Sequence, residues 1–294
     1  MSGKEIINKT ISKSGLVLVY AFLILFALLC LVPFLYVLSY SLTPYSDYLK
    51  NPTALIPAHF TLQAYKDIFS YKLLYSGYKN TLFITVAGTC LNLVLLLVSA
   101  YPLSKKDLKG RGIILSLVLF TMLFSGGMIP RYYLIRSLNL IDSVWALILP
   151  TAMSAYNLIL MKNFVEAIPE SLEESAMIDG ANEIVILVKI IAPLCIPAIA
   201  TFTIMCAAAH WNDFFDAVIF TTKRKAWPLM LVLREIVLEG NSSDAATYTP
   251  DDAVTQSFTL QMSMIIASIL PILCIYPFMQ KYFVTGLTMG GVKE

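Results

Sequence analysis

Residues able to do covalent chemistry are few in this chain, and none are spaced for it. His59 and His210 each stand alone, whereas a metal site needs several ligands converging on one point. Cys30, Cys90, Cys195, Cys206 and Cys274 lie in apolar runs without a CxxC pairing. They read as small packing residues rather than disulfide partners or metal ligands. No G-x-x-x-x-G-K-[ST] loop is present to cradle a nucleotide phosphate. A nucleophile elbow and an H-E-x-x-H pair are missing as well. No catalytic residue and no metal site are therefore expected.

Recognition chemistry is offered in two places instead. One is the acidic, small-residue stretch "EESAMIDGANEIVILVKIIAP", Glu173 to Pro193, set between two oily runs. The other is a set of polar and aromatic side chains inside such runs: Asn92, then Ser154, Tyr156 and Asn157, then His210, Trp211, Asn212, Asp213 and Asp216. A polar group at membrane depth is costly unless it faces a bundle interior or a watery cavity. Tyr156 beside Asn157 and Trp211 beside Asn212 each pair an aromatic face with a directional polar group, and they are the candidate solute-facing groups. The blander alternatives are interfacial aromatic belts and an Asn that only bonds a neighbouring helix, which is the reading taken for Asn92. Asp213 and Asp216 are expected near an outer mouth, where solvation is easy.

The elements that must position these groups follow from composition. Of 294 residues 58% are hydrophobic and only 14% are charged, with a net charge of +2. Soluble domains carry about 25% charged residues, so the principal solvent is lipid, and nothing points to nucleic acid. A hydrocarbon core needs about 20 helical residues. Runs of that order occur at 15–40, 82–103, 112–128, 144–161, 190–212 and 257–279. The fold expected is all-α: one polytopic membrane domain over 1–294 with six transmembrane helices. The first run lacks the short apolar region and cleavage site of a signal peptide, and reads as a retained span. Pro33, Pro150, Pro197 and Pro271 are tolerable inside spans, because neighbouring helices satisfy the freed carbonyls.

Orientation is read from short basic flanks. Lys4, Lys9 and Lys13 precede the first run, and "SKKDLKGR" follows the second. Both place the N-terminus (1–14) in the cytoplasm, together with the loop 164–192. The long loop 221–256 then falls on the extracytoplasmic side, as does the segment 41–80.

The acidic stretch reads as two short helices joined by a turn. Pro169 ends the preceding helix, Ser171 is expected to N-cap, and Glu174 three residues on would complete a capping box. Leu172 to Asp179 makes about two turns, Gly180 supplies a left-handed residue, and Asn182 caps a second helix. Ile184, Leu187, Val188 and Ile191 are expected to form one apolar stripe along the membrane surface. In the first helix, Ser175 and Ala176 leave one side open to a partner backbone. Met177 and Ala181 make a narrow apolar strip on the other. A plain surface helix, with Glu174 occupied by its own cap, is the alternative.

Taken together, the stretch resembles the signature of the membrane subunits of binding-protein-dependent ABC importers. That signature is E-A-A, three residues, G, nine residues, I, one residue, L-P. Here it reads Glu174-Ser175-Ala176, Gly180, Ile190, Ala192-Pro193. Ser175 for Ala and Ala192 for Leu depart from it, which bears on contact detail rather than on membership. "MIPRYYLIRSLNLIDSVWALILP", "HWNDFFDAVIF" and "QKYFVTGLTMGGVKE" extend the resemblance over nearly the whole chain. They are similar to the maltose-type subunit, and closer still to the polysaccharide and complex-oligosaccharide permeases. The resemblance implies a coupling helix that docks on a cytoplasmic ATPase through Glu174, Ser175, Ala176, Asp179, Gly180 and Ala181. It implies a second homologous permease, two ATP-binding subunits that hold ATP and Mg²⁺, and an extracytoplasmic solute-binding protein. The implied setting is the bacterial cytoplasmic membrane, and the implied cargo is an oligo- or polysaccharide. The rival function is an ATP-independent secondary transporter or channel, for which paired intramembrane charges or inverted repeats with broken helices would be expected.

Overall fold

The computed structural model describes residues 13–51, 55–239 and 258–277. The expected cytoplasmic N-terminus lies outside them except for Lys13 and Ser14. So do the 240–256 part of the long loop, the first residue and last two residues of the run 257–279, and the tail motif from Gln280. Every regular element among the described residues is helical. In chain order the helices are α1 (Lys13–Ser41), α2 (Tyr45–Lys50), α3 (Gln63–Ser70), α4 (Lys72–Ser104), α5 (Arg111–Leu123), α6 (Met128–Ser137) and α7 (Trp145–Ile148). Then come α8 (Ala155–Glu166), α9 (Glu170–Ile178), α10 (Glu183–Ile186), α11 (Ala192–Leu194), α12 (Ile196–Trp211), α13 (Phe215–Phe220), α14 (Leu229–Glu239) and α15 (Phe258–Pro277).

Two compact units are present. The first takes Met1–Ser70 with Ile236–Ala267, the second Tyr71–Glu235 with Ser268–Glu294. In the first, α1 is apolar on all sides and its side chains from Val17 to Leu35 are almost all exposed. A helix with no polar face and little internal burial is solvated by lipid or by other chains. Its C-terminal end is anchored: the Ser41 hydroxyl donates to Leu38 O at 2.7 Å and shares a hydrogen bond of 2.7 Å with the Tyr65 hydroxyl. Ser263 donates to Ser41 O at 3.2 Å.

The second unit holds the site. Along α4 the buried residues recur as Leu74, Gly77, Thr81, Ile84, Gly88, Asn92, Leu96, Ala100 and Leu103. That spacing of three or four puts them on one face, while Leu82, Phe83, Val86, Val94 and Val98 point out. Small residues on the inner face let other elements close in, as expected where apolar contact alone gives no preference over lipid. A methyl group added at Gly88 would lie 2.5 Å from the His210 ring, so α12 can cross there only because that residue is glycine. Beside it, His210 Nε2 and Asn92 Oδ1 are 2.7 Å apart, and Asn92 Nδ2 donates to Thr151 O at 2.7 Å. Asn92 thus bonds neighbouring elements.

Among the described residues, three helices are long and apolar enough to cross a membrane, and two bent pairs would bring the number to five. The pair α5–α6 turns by 113° at a break ending in Gly127, whose φ is +85°. The run 183–194 and α12 meet at 79°, with Pro197 in the first turn of α12, where a missing N–H costs nothing. The fourth expected span is divided: α7 leads into a 3₁₀ turn at Leu149–Thr151 holding Pro150, and α8 restarts after Ser154 with only 12 residues. Ser154 accepts a bond from Asn157 N as the new N-cap.

Candidate functional site

The turn expected around Gly180 is present and can be built from its residues. Gly180 has φ +83°, a conformation other residues adopt only with strain. Its N–H bonds Met177 O at 3.0 Å and the next N–H, of Ala181, bonds Ala176 O at 2.9 Å, closing α9 with the paired bonds of a left-handed cap. Asn182 then accepts from Val185 N at 2.9 Å and starts α10. The start of α9 differs from the capping box expected. Pro169 occupies the cap position, Ser171 lies inside the helix, and the Ser175 hydroxyl bonds Ser171 O at 2.8 Å. Proline fixes the entry backbone by itself, so no side-chain cap forms and Glu174 is left exposed.

Which face of the stretch points outward also departs from the sequence expectation. Ala176 and Ala181 pack against a core made by Leu96, Ala100 and Tyr101 of α4, Leu158, Met161 and Val165 of α8, and Ile186, Ile191 and Cys195. Ala176 thus lies partly against the chain's own core, while Ser175 stays exposed. The outward ridge is Met177 (44% exposed), Ile178 (87% exposed), Ile184 and Val188, with Glu174, Ser175 and Asp179 beside them. The stripe of Ile184, Leu187, Val188 and Ile191 is not a single face. Ile186 and Ile191 are fully buried, Ile184 and Val188 exposed, because residues 187–191 form a π-helical turn that shifts the register.

Sequence reasoning missed the groups that hold this structure. Glu173, not Glu174, is the buried acid, 6% exposed. It forms an ion pair with Lys105, and its Oε2 lies 3.1 Å from the Tyr101 hydroxyl oxygen. The same hydroxyl reaches Glu183 Oε2 at 2.5 Å, and the Lys105 ammonium lies 4.7 Å from the Tyr101 ring centre. The helix-turn-helix is thereby tied on both sides of Gly180 to the end of α4. A second knot sits alongside, where Glu166 accepts from Lys162 at 2.5 Å and from Arg111 at 2.7 Å. The Lys162 ammonium foremost, and Arg111 after it, hold the Glu166 carboxyl below the usual carboxylate range. Its contribution is complete at neutral pH and fades only as pH falls through that lowered value. The sequence signal was the basic run Lys105–Arg111 facing the acidic run Glu166–Glu174; charge sign was visible, the pairing was not.

The four candidate path residues differ in their surroundings. Trp211 is 8% exposed and its indole N–H donates to Ser268 O at 3.2 Å. Asn212 is exposed and turns its amide back onto Ala208 O at 2.8 Å. Asn157 contacts Cys206 Sγ at 3.9 Å, and Tyr156 is 52% exposed. Asp216 departs from the solvated acid expected: it is buried and held by two bonds from Arg131, of 2.9 and 2.6 Å. These two residues help line a recess of about 540 Å³ at the α5–α6 bend, with Gly126, Gly127, Phe215 and Phe220. None of the four path candidates lines it.

Known proteins with this arrangement define its class. The chain is 43% identical over 281 residues to the polygalacturonan/rhamnogalacturonan transport system permease of Bacillus subtilis, covering 94% of this chain and 97% of that protein. It is 31% identical to an arabinooligosaccharide transport system permease of the same organism, covering 92% and 94%. In a crystal structure of a bacterial ABC transporter involved in the import of the acidic polysaccharide alginate, one chain matches with a TM-score of 0.85. That match has 34% identity and covers 93% of this chain and 99% of that one. No protein-family model matches. The chain belongs to the carbohydrate-uptake permeases of ABC importers. It is a multi-pass protein of the bacterial cytoplasmic membrane and a transport subunit rather than an enzyme, working with an ATPase and a substrate-binding protein.

Proposed function

We propose that this chain forms, with a second permease of the same fold, the path by which uronate-containing oligo- or polysaccharide fragments enter the cell. Two cytoplasmic ATP-binding subunits hold ATP and Mg²⁺ and drive the cycle, and an extracytoplasmic binding protein delivers the sugar. Residues 1–14 and 164–192 face the cytoplasm and 221–256 the outside. The observation that carries the coupling half is the ridge Glu174, Ser175, Met177, Ile178 and Asp179: exposed, partly apolar, and fixed to the bundle through Ala176, Ala181 and Glu173. A polar helix with an apolar ridge suits a soluble partner. The carbohydrate half is supported by the relatives, two of which are named for polymers rich in acidic sugars. Of the path candidates, Tyr156 and Asn212 have exposed groups able to meet a sugar; Trp211 and Asn157 are spent on internal contacts.

The test is uptake into proteoliposomes holding the complete complex. Labelled oligogalacturonides should enter only with ATP inside and binding protein outside, and neutral arabino-oligosaccharides should enter poorly. Entry without ATP would favour a secondary transporter. ATP-driven entry of the neutral sugar alone would remove the acidic cargo.

A further inference from the structure

Two short helices joined through one glycine make a poor lever. α9 has nine residues, and the second arm is the short run 183–194, interrupted by the π turn; helices of these lengths are marginal unaided. Gly180 is the softest joint between them. A force applied at Met177 or Ile178 would flex that joint rather than turn the run 183–194, unless both arms are tied to something rigid. The structure contains such ties. Lys105 holds the first arm through Glu173, and the Tyr101 hydroxyl, 2.5 Å from Glu183 and 3.1 Å from Glu173, spans both arms. Tyr101 is buried at the end of the 33-residue helix α4. A phenol has one proton to donate. Glu173 already has the Lys105 ammonium, so the proton goes to Glu183, at the shorter distance, and each carboxylate has its own donor.

We infer that Tyr101 is a positioning residue for energy coupling: its hydrogen bond to Glu183 makes the two arms move as one body with the end of α4. This rests on α9 being the surface that meets the ATPase. Tyr101→Phe keeps the ring and its packing and removes only the hydroxyl. Glu183→Ala removes the acceptor, whereas Glu183→Gln keeps an oxygen that can accept the phenolic proton.

The experiment uses the full complex in nanodiscs with its ATPase subunits and reads two quantities. Hydrogen exchange at Gly180, Ala181 and Val185, whose amides close the turn, should accelerate about tenfold or more in Tyr101→Phe and Glu183→Ala. That is the factor a hydrogen bond to a charged group carries. The kcat for MgATP should fall about fivefold or more in the same two variants, within the range of ordinary coupling energies. KM for MgATP should be unchanged, because the nucleotide site is on another subunit. Glu183→Gln, which keeps an acceptor but not the charge, should lie nearer the unaltered protein than Glu183→Ala in both readings, which a loss of general stability would not produce. Wild-type exchange and turnover in Tyr101→Phe would overturn the inference. Faster exchange with unchanged kcat would also overturn it, while leaving ATPase docking intact if Met177→Cys still cross-links to that subunit. Failure of that cross-link in an otherwise unaltered complex refutes the docking itself, and the inference with it.

Discussion

Gly180→Pro should abolish transport while leaving the permease assembled with its partners. Proline holds φ near −65° and has no N–H. Gly180 sits at φ +83° and donates to Met177 O at 3.0 Å. The substitution therefore removes a cap bond and forces the chain out of the turn that aims α10. Gly180→Ala separates the two causes. Nothing lies within 4 Å of the added methyl group, so only the left-handed strain remains, about 1–2 kcal/mol. Partial coupling should survive in that variant. The measurement is substrate-stimulated ATP hydrolysis beside co-purification of the ATPase with each variant. Normal stimulation in Gly180→Pro would show that the direction of this turn carries no mechanical role.

Trp211→Ala should cost the permease its stability before its selectivity. The ring is almost wholly buried and its N–H is satisfied by Ser268 O. Removing it empties a large volume and removes that bond. Truncations of buried Trp or Phe cost about 3–5 kcal/mol, a large fraction of a typical stability of about 5–15 kcal/mol. Tyr156→Ala, at a side chain 52% exposed, should stay within about 0.5 kcal/mol of the unaltered protein, as surface changes do. Thermal unfolding in detergent and abundance in the membrane distinguish the two variants. A Trp211→Ala permease that folds and accumulates normally but no longer imports sugar would return Trp211 to the solute path.

What the sequence disclosed was local. Apolar run length located the three long helices, since about 20 apolar residues without charge have few other uses, whereas of the six runs expected the one at 144–161 is divided. The left-handed Gly180 and the cap at Asn182 follow from the chemistry of one or two residues, and both are as expected. Where neighbours compete, local rules failed. The capping box at Ser171 lost to Pro169, which sets the helix entry without a side chain. A period of 3.6 placed Ile184 and Ile191 on one face, and the π turn at 187–191 put them on different ones. Pairings distant in the chain were not legible at all. Tyr101 meets Glu183, 82 positions away, and Arg131 meets Asp216, 85 positions away. Neither partner marks the other by type or spacing. Ala176 illustrates a related point: a small residue signals close approach, but not what approaches, and here it packs partly against the chain's own core.

That last distinction gives the most direct measurement of ATPase docking at the outward ridge of α9. Single cysteines at Met177 and at Ala176 are placed in a complex whose permease lacks its native cysteines. Each is treated with a short thiol-to-amine cross-linker in the membrane. Met177 is exposed, whereas Ala176 packs against the core below it. The expected result is a permease–ATPase product from Met177→Cys and none from Ala176→Cys. A product from Ala176→Cys alone, or from neither, would contradict it.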